Sequence, residues 1–285
     1  MNPMNWTKLI SPEELATVID RCILIDCRHN LLDPGEGPAA YAAQHLPGAR
    51  FLHQDTDLAG PKNGRNGRHP LPDPEQLGAR LRAAGLNQGQ QLVVYDDHGG
   101  MYAGRLWWLV RWLGHQQVAV LDGGMSAWKK AGFPTTADLP DLASGNFVPR
   151  LAQMPAIEVQ NLQSQLGSSE LLIIDARSRE RYAGQSEPID PVAGHIPGAL
   201  NRPFQSNLRP DGRFKPAQVL RQEFEALIGA HDPARVVHSC GSGVTACHNL
   251  LAMELAGLGN SALYGGSWSE WCADAERPVA TGDKP

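Results

Sequence analysis

Short, uniformly apolar runs alternate along the chain with longer stretches of helical periodicity. Leu24-Ile25, Leu92-Val93-Val94-Tyr95, Ile173-Ile174 and Val236-Val237 are brief and rich in Val and Ile, whereas residues 105–114 (RLWWLVRWLG) and 247–259 (CHNLLAMELAGLG) have the length and spacing of helices. Runs without an alternating polar face predict strands buried on both sides, and their alternation with helices predicts βαβ units around a parallel sheet. Ligands of such sheets sit beyond the carboxyl ends of the strands, which directs attention to the segment after Ser239.

The pattern occurs twice. Leu24-Ile25-Asp26-Cys27-Arg28 returns 149 residues later as Ile173-Ile174-Asp175-Ala176-Arg177, and His45-Leu46-Pro47-Gly48-Ala49 returns after 150 as His195-Ile196-Pro197-Gly198-Ala199. Asp122-Gly123-Gly124-Met125-Ser126-Ala127-Trp128 returns after 143 as Gly265-Gly266-Ser267-Trp268-Ser269-Glu270-Trp271. Three landmarks in one order at nearly one offset predict two copies of one α/β domain; the period is too long for a solenoid. Between the copies, prolines at 134, 140, 149 and 155 with Gly145 predict a surface connector. The expected division is an N-terminal domain over 1–137, a linker over 138–155 and a C-terminal domain over 156–285.

Composition narrows the function classes. The 285 residues are 42% hydrophobic and 19% charged, a globular balance, and the net charge of −5 with no Lys/Arg run argues against a nucleic-acid partner. No apolar run approaches the ~20 residues of a bilayer span, so no membrane association is expected. The start, MNPMNWTKLISPEEL, has no charged segment followed by an apolar one, and the expected location is the cytoplasm. Five cysteines (22, 27, 240, 247, 272) with no CxxC pair predict neither a disulfide framework nor a structural metal site, and no metal is expected.

One cysteine stands apart by position. Val236-Val237-His238-Ser239-Cys240-Gly241-Ser242-Gly243-Val244-Thr245 reads as a strand, a tight loop and the start of a helix. A cysteine there faces a helix N-terminus and loop N–H groups, an environment that stabilises a thiolate and lowers a thiol pKa from ~8.5 toward ~3.5–7.5. Glycines permit the close backbone approach that such a cradle needs. Counting back 143 residues puts Asp97 at the cysteine's position in the first copy, a carboxylate that is no sulfur nucleophile, so the first copy is expected to be catalytically silent. Asp26, Arg28, Asp175 and Arg177 read as internal ion pairs, and His45 and His195 as turn-fixing residues.

These residues resemble the tandem-domain rhodanese-like sulfurtransferases. Both copies carry that family's His-[Ile/Leu]-Pro-Gly-Ala signature, the second carries Gly-Ser-Trp-Ser-Glu-Trp, and the loop Cys240-Gly241-Ser242-Gly243-Val244-Thr245 is similar to that of the 3-mercaptopyruvate branch, where thiosulfate-preferring members have Cys-Arg-Lys-Gly-Val-Thr. The resemblance implies an α/β fold of two tandem rhodanese-like domains, each a central, mostly parallel sheet flanked by helices. It implies a Cys240 persulfide, no cofactor, release of pyruvate, and an acceptor such as cyanide, a small thiol or a thioredoxin-like protein. Gly241, Gly243, Val244 and Thr245 would line the donor, Arg181 would clamp its carboxylate, and Ser242, His69 and Asp55 would form a proton relay. One departure stands out: the family's second arginine, nine residues after the clamp, is replaced by Asp190, for which Arg202 and Arg105 are stand-ins by location only.

Physical chemistry gives the same division of donors. Thiosulfate is a dianion that gains from two cations near the loop, and Gly241 and Ser242 bring none. A thiosulfate sulfurtransferase is the competing expectation, supported by Asp190. A phosphatase would need an arginine six residues after the cysteine, where Ala246 stands. A non-catalytic sulfur-carrier or binding module is the remote alternative, and Cys240 argues against it.

Overall fold

The computed structural model describes residues 5–141, 143–151, 154–168 and 170–285. The backbone divides into two compact units. The first comprises residues 1–60, 72–153 and 210–214, and the second 61–71, 154–209 and 215–285.

In the first unit β1 (Leu9–Ile10), β2 (Ile23–Asp26), β3 (Ala49–Phe51), β4 (Leu92–Tyr95) and β5 (Val118–Leu121) form a sheet of order β1-β5-β4-β2-β3 in which every pairing is parallel. β2, β4 and β5 are buried at every residue, as a sheet covered on both faces requires. Leu24, Val93, Tyr95, Ala119 and Leu121 pack with Met125 and Trp128 into one core cluster. The second unit repeats the plan with β6 (Leu172–Asp175), β7 (Ala199–Asn201), β8 (Val236–Ser239) and β9 (Ala262–Leu263), again all parallel, in the order β7-β6-β8-β9.

The shared sequence landmarks have one structural meaning each. His45 Nδ1 donates to the Tyr41 carbonyl (2.7 Å) and its ring stacks on Tyr41, while His195 does the same with Tyr182 at 2.8 Å. Each histidine thereby locks the turn that enters β3 or β7, and Gly48 (φ +79°) and Gly198 (φ +83°) supply the left-handed residue that this turn needs. Arg28 forks onto Asp26 and Arg177 onto Asp175, both closing to 2.6 Å, so these pairs are internal.

The proline-rich connector is not free chain. Gly145 N–H donates to the Arg82 carbonyl, Phe147 N–H to Leu86 and Arg150 N–H to Leu113, and the Phe147 ring is buried in the first unit. Two short segments also join the unit opposite to the copy that encodes them. Phe214 N–H donates to Asp122 Oδ1 (2.9 Å) in the first unit, and Arg68 N–H donates to Ser269 Oγ (3.0 Å) in the second.

Candidate active site

Cys240 follows directly on β8, the strand beside β6 in the second sheet. Its carbonyl accepts from Trp268 N–H (2.9 Å) and its own N–H donates to Ser267 Oγ (3.1 Å), so the Gly-Ser-Trp-Ser-Glu-Trp turn holds the loop from below. Gly243 N–H points at the sulfur, with N to Sγ 3.1 Å, and Gly243 adopts φ +78° to do so. Thr245 begins the helix Thr245–Leu255, and Val244, buried at its N-cap, completes the turn. Sγ therefore accepts one backbone N–H just ahead of this helix, a setting suited to negative charge. Cys240 is 1% exposed, so a donor must be guided to it.

The expected partner of Ser242 is in place. Ser242 Oγ lies 2.7 Å from His69 Nδ1, and both side chains are buried. His69 reaches the serine because residues 61–71 belong to the second unit, an arrangement that Gly67 makes possible. Its φ is +82°, and a Cβ there would press on the Gly266 backbone. Asp55 belongs to the first unit, with its Oδ2 3.9 Å from His29 Nε2 and its N–H donating to His53 Nδ1. That trio is the one group with metal-ligand geometry among the described residues, but His53 has Nδ1 engaged with Asp55 N–H and Nε2 with the Pro34 carbonyl.

Arg181, on the short helix Arg179–Tyr182, grips Glu187 through Nε and Nη2 (2.7–3.2 Å) and reaches Asp190 Oδ2 at 3.2 Å. It flanks the Cys240 loop: a methyl group added at Gly241 would lie 3.5 Å from both terminal nitrogens of Arg181. Burial works to raise the Glu187 pKa, but Arg181 and the N–H groups of Asp190 and Ile189 more than offset it and hold the carboxyl below its ordinary range. At Asp190 burial prevails and the pKa is raised, against the pull of Arg68.

Three features escaped the sequence reading. Arg68 forms an ion pair with Asp190, and its Nη2 would be 2.8 Å from a Cβ at Gly241. A cation thus comes to the loop from a segment 173 residues away, and neither stand-in named for Asp190 is involved. Arg202 is tied to Asn207 and Glu223, and Arg105 is buried in the helix Ala103–Trp112 of the first unit. The sequence carries a signal for it: an acid stands at 190 where a cation is expected, and Arg68 adjoins His69. Ser267, at φ +53°, is a non-glycine residue in the left-handed region directly beneath Cys240, where strain of ~1–2 kcal/mol is characteristic of functional loops.

The third feature corrects the alignment of the copies. Tyr95 carbonyl accepts from Cys27 N–H as Ser239 carbonyl accepts from Ala176 N–H, and Asp96 carbonyl accepts from Met125 N–H as Cys240 carbonyl accepts from Trp268 N–H. Asp96, displaced by 144, is the residue at the cysteine's position, and Asp97 instead pairs with His98 at 2.8 Å. The remaining cysteines are ill suited to nucleophilic chemistry: burial pushes Cys22 up to about 11, Cys27 far above its ordinary value, and Cys272 upward, while Cys247 donates to the Gly243 carbonyl.

Comparison with known proteins agrees with this geometry. The family model described as "Rhodanese-like domain" matches residues 11–131 and again 158–274. The chain is 47% identical over 284 residues to the probable 3-mercaptopyruvate sulfurtransferase of Pseudomonas aeruginosa, covering 98% of this chain and 100% of that one. It is 37% identical over 289 residues to a putative thiosulfate sulfurtransferase of Mycobacterium tuberculosis, covering 96% and 97%. Among solved structures, the 3-mercaptopyruvate sulfurtransferase from Leishmania major superposes with a TM-score of 0.82 at 31% identity, over 95% of this chain and 75% of that one. The chain belongs to the rhodanese-like family and carries the family's domain twice.

Proposed function

We propose that the protein is a sulfurtransferase that takes sulfur from 3-mercaptopyruvate, holds it on Cys240 as a persulfide and passes it to a thiophilic acceptor such as cyanide, a small thiol or a thioredoxin-like protein. The observation that carries this reading is the 2.7 Å contact between Ser242 Oγ and His69 Nδ1, two residues beyond a cysteine whose Sγ accepts a backbone N–H. A mercaptopyruvate donor brings a thiol proton that must end on the departing carbon; thiosulfate brings none. A buried hydroxyl–imidazole pair beside the nucleophile serves the first donor and is idle for the second.

In the reaction, Cys240 thiolate attacks the donor sulfur, forming the S–S bond as the C–S bond breaks. The bonding pair leaves as the enolate of pyruvate, and the former thiol proton, moved through Ser242 and His69, is delivered to its methylene carbon. Cys240 is left as a persulfide anion held by the loop N–H groups. An acceptor nucleophile then attacks the outer sulfur: cyanide leaves as thiocyanate, a thiol as a persulfide, and Cys240 thiolate is regenerated. The cycle needs no cofactor or metal. Asp55 as the far end of the relay, and Gly241, Val244 and Thr245 as donor-lining groups, rest on their alignment with the family. A cytoplasmic location fits this reading; among the described residues no helix is long and apolar enough to cross a membrane.

A thiosulfate donor is the second reading, favoured by the approach of both Arg68 and Arg181 to Gly241. Those cations are not surplus: Arg68, Arg177 and Arg181 face Asp175, Glu187 and Asp190, so a dianion meets little net positive charge. Steady-state assays with both donors test the choice. 3-Mercaptopyruvate is expected to give a kcat/KM at least ~10-fold higher, with one sulfur added to the Cys240 peptide and none in Cys240→Ser. A preference for thiosulfate would move the assignment to the second reading, and sulfur on another cysteine would remove Cys240 from the mechanism.

A further inference from the structure

Two guanidinium groups converge on the backbone beside Cys240. Arg68 gives Nη1 to Asp190 Oδ1 and turns Nη2 to within 2.8 Å of a Cβ built on Gly241, while Arg181 gives Nη2 to Asp190 Oδ2 at 3.2 Å and lies 3.5 Å from the same Cβ. Gly241 does not adopt a left-handed φ, and the nearest obstacle to a side chain there is the tip of Arg68. Acids and cations are placed unequally. The Asp190 and Glu187 side chains are 4% and 3% exposed, whereas those of Arg68 and Arg181 are 21% and 18% exposed. The two acids are almost wholly enclosed, while both arginine side chains keep access to solvent.

We propose that Arg68 is a specificity-determining residue that holds the carboxylate of the sulfur donor together with Arg181, and that Asp190, bridging the two guanidinium groups, positions them for it. Two planar forks on one small platform suit the two oxygens of a carboxylate. The donor class is therefore a small mercapto acid whose carboxylate is a few bonds from its sulfur, since Gly241 adjoins Cys240. Arg68 is oriented at both ends, its N–H on Ser269 Oγ and its side chain on Asp190. It takes the part that an arginine at position 190 would otherwise play, from another segment of the chain.

The inference rests on 3-mercaptopyruvate as donor, so sulfur loading of the wild-type protein by that compound is measured first. KM and kcat are then compared for wild type, Arg68→Ala, Arg68→Lys and Asp190→Asn, using 3-mercaptopyruvate and its neutral analogue mercaptoacetone, which keeps the thiol and ketone and lacks the carboxylate. Losing a charge-assisted hydrogen bond predicts a KM for 3-mercaptopyruvate raised ~10–100-fold in Arg68→Ala. kcat and the mercaptoacetone KM should stay within about threefold. Arg68→Lys should recover part of the loss. Asp190→Asn, whose amide offers an acceptor to one arginine and a donor to the other, should release one fork and raise the KM for 3-mercaptopyruvate by less than Arg68→Ala does, leaving that for mercaptoacetone within about threefold. If Arg68 only anchored its segment, Arg68→Ala would impair both donors equally and Asp190→Asn would match it; either result overturns the proposal. A wild-type protein that loads from 3-mercaptopyruvate with an Arg68→Ala KM unchanged overturns Arg68 alone, and one that does not load overturns the donor reading with it.

Discussion

The chain leaving β4 turns at Asp96, whose two carboxylate oxygens accept four backbone N–H groups, from His98, Gly100, Tyr102 and Ala103, at 2.7–2.9 Å. The chain leaving β8 turns at Cys240, whose sulfur accepts the Gly243 N–H at 3.1 Å. One backbone plan thus serves two ends. In the first unit the N–H groups of the loop are taken up by the Asp96 side chain, and the Phe214 ring lies against Gly100. In the second unit the corresponding position holds a polarisable thiol, and the segment 61–71 brings His69 to Ser242 and Arg68 to Gly241. The turn below differs in the same sense: Gly124 has no room for a side chain against the Asp96 carbonyl, while Ser267 in the same left-handed conformation directs Oγ to Cys240 N–H. The two copies therefore differ by a coordinated set of residues around positions 96 and 240.

The strongest way to break this comparison is to move the nucleophile. Cys240→Ser should lower sulfur transfer by more than ~1000-fold. Asp96→Cys added to that variant should restore none, because the first loop offers Asp97 and His98 where the second has Gly241 and Ser242. Persulfide detected on residue 96 by mass spectrometry would mean that a cysteine alone makes either loop active.

A second difference separates the sheets. His238 on β8 pairs with Ile174, as Val94 on β4 pairs with Ile25. Burial, aided by Arg202, pushes the His238 pKa down from 6.5 to about 3. The folded form keeps this ring neutral while the unfolded chain takes up a proton below pH 6.5, so stability is present above that pH and is lost as pH falls from 6.5 toward 3. The second unit should lose up to ~1.4 kcal/mol per pH unit in that window. Urea unfolding followed by hydrogen exchange, which resolves the units, should show the slope shrink in His238→Val; an unchanged slope would place the acid sensitivity elsewhere.

The smallest expected effect is a symmetric one. Gly48 and Gly198 adopt the same left-handed conformation in the His-Pro-Gly-Ala turns, and a Cβ at either meets nothing within 4 Å. Gly48→Ala and Gly198→Ala should each cost ~1–2 kcal/mol of conformational strain in urea unfolding. Costs that differed by more than a factor of two would show that the turns are equivalent in shape alone.

Much of this was legible in the chain itself. The strands at Leu92–Tyr95 and Val236–Ser239 are where their unbroken apolar runs put them. The repeated histidines fix turns, and Cys240 heads a loop and a helix as its glycines required. The alignment slipped by one residue at Asp96 because Asp96 and Asp97 are chemically alike in a string; only the hydrogen bonds of Met125 and Cys27 tell them apart. The described connector residues are mostly exposed, in keeping with their prolines, but Phe147 finds a buried place against the first unit, a contact that a string of residues does not mark.

Periodicity, repeated motifs and a strand-end cysteine are local properties, and they determined a duplicated parallel α/β fold with one such cysteine, because they depend on residues near each other in the chain. The charged and polar groups around that cysteine were decided by tertiary structure. Arg68 and His69 reach the Cys240 loop because residues 61–71 belong to the second unit, and Asp190 has meaning only beside the arginines it faces. Electrostatics and proton transfer depend on distance in space, and spacing along the chain does not encode it.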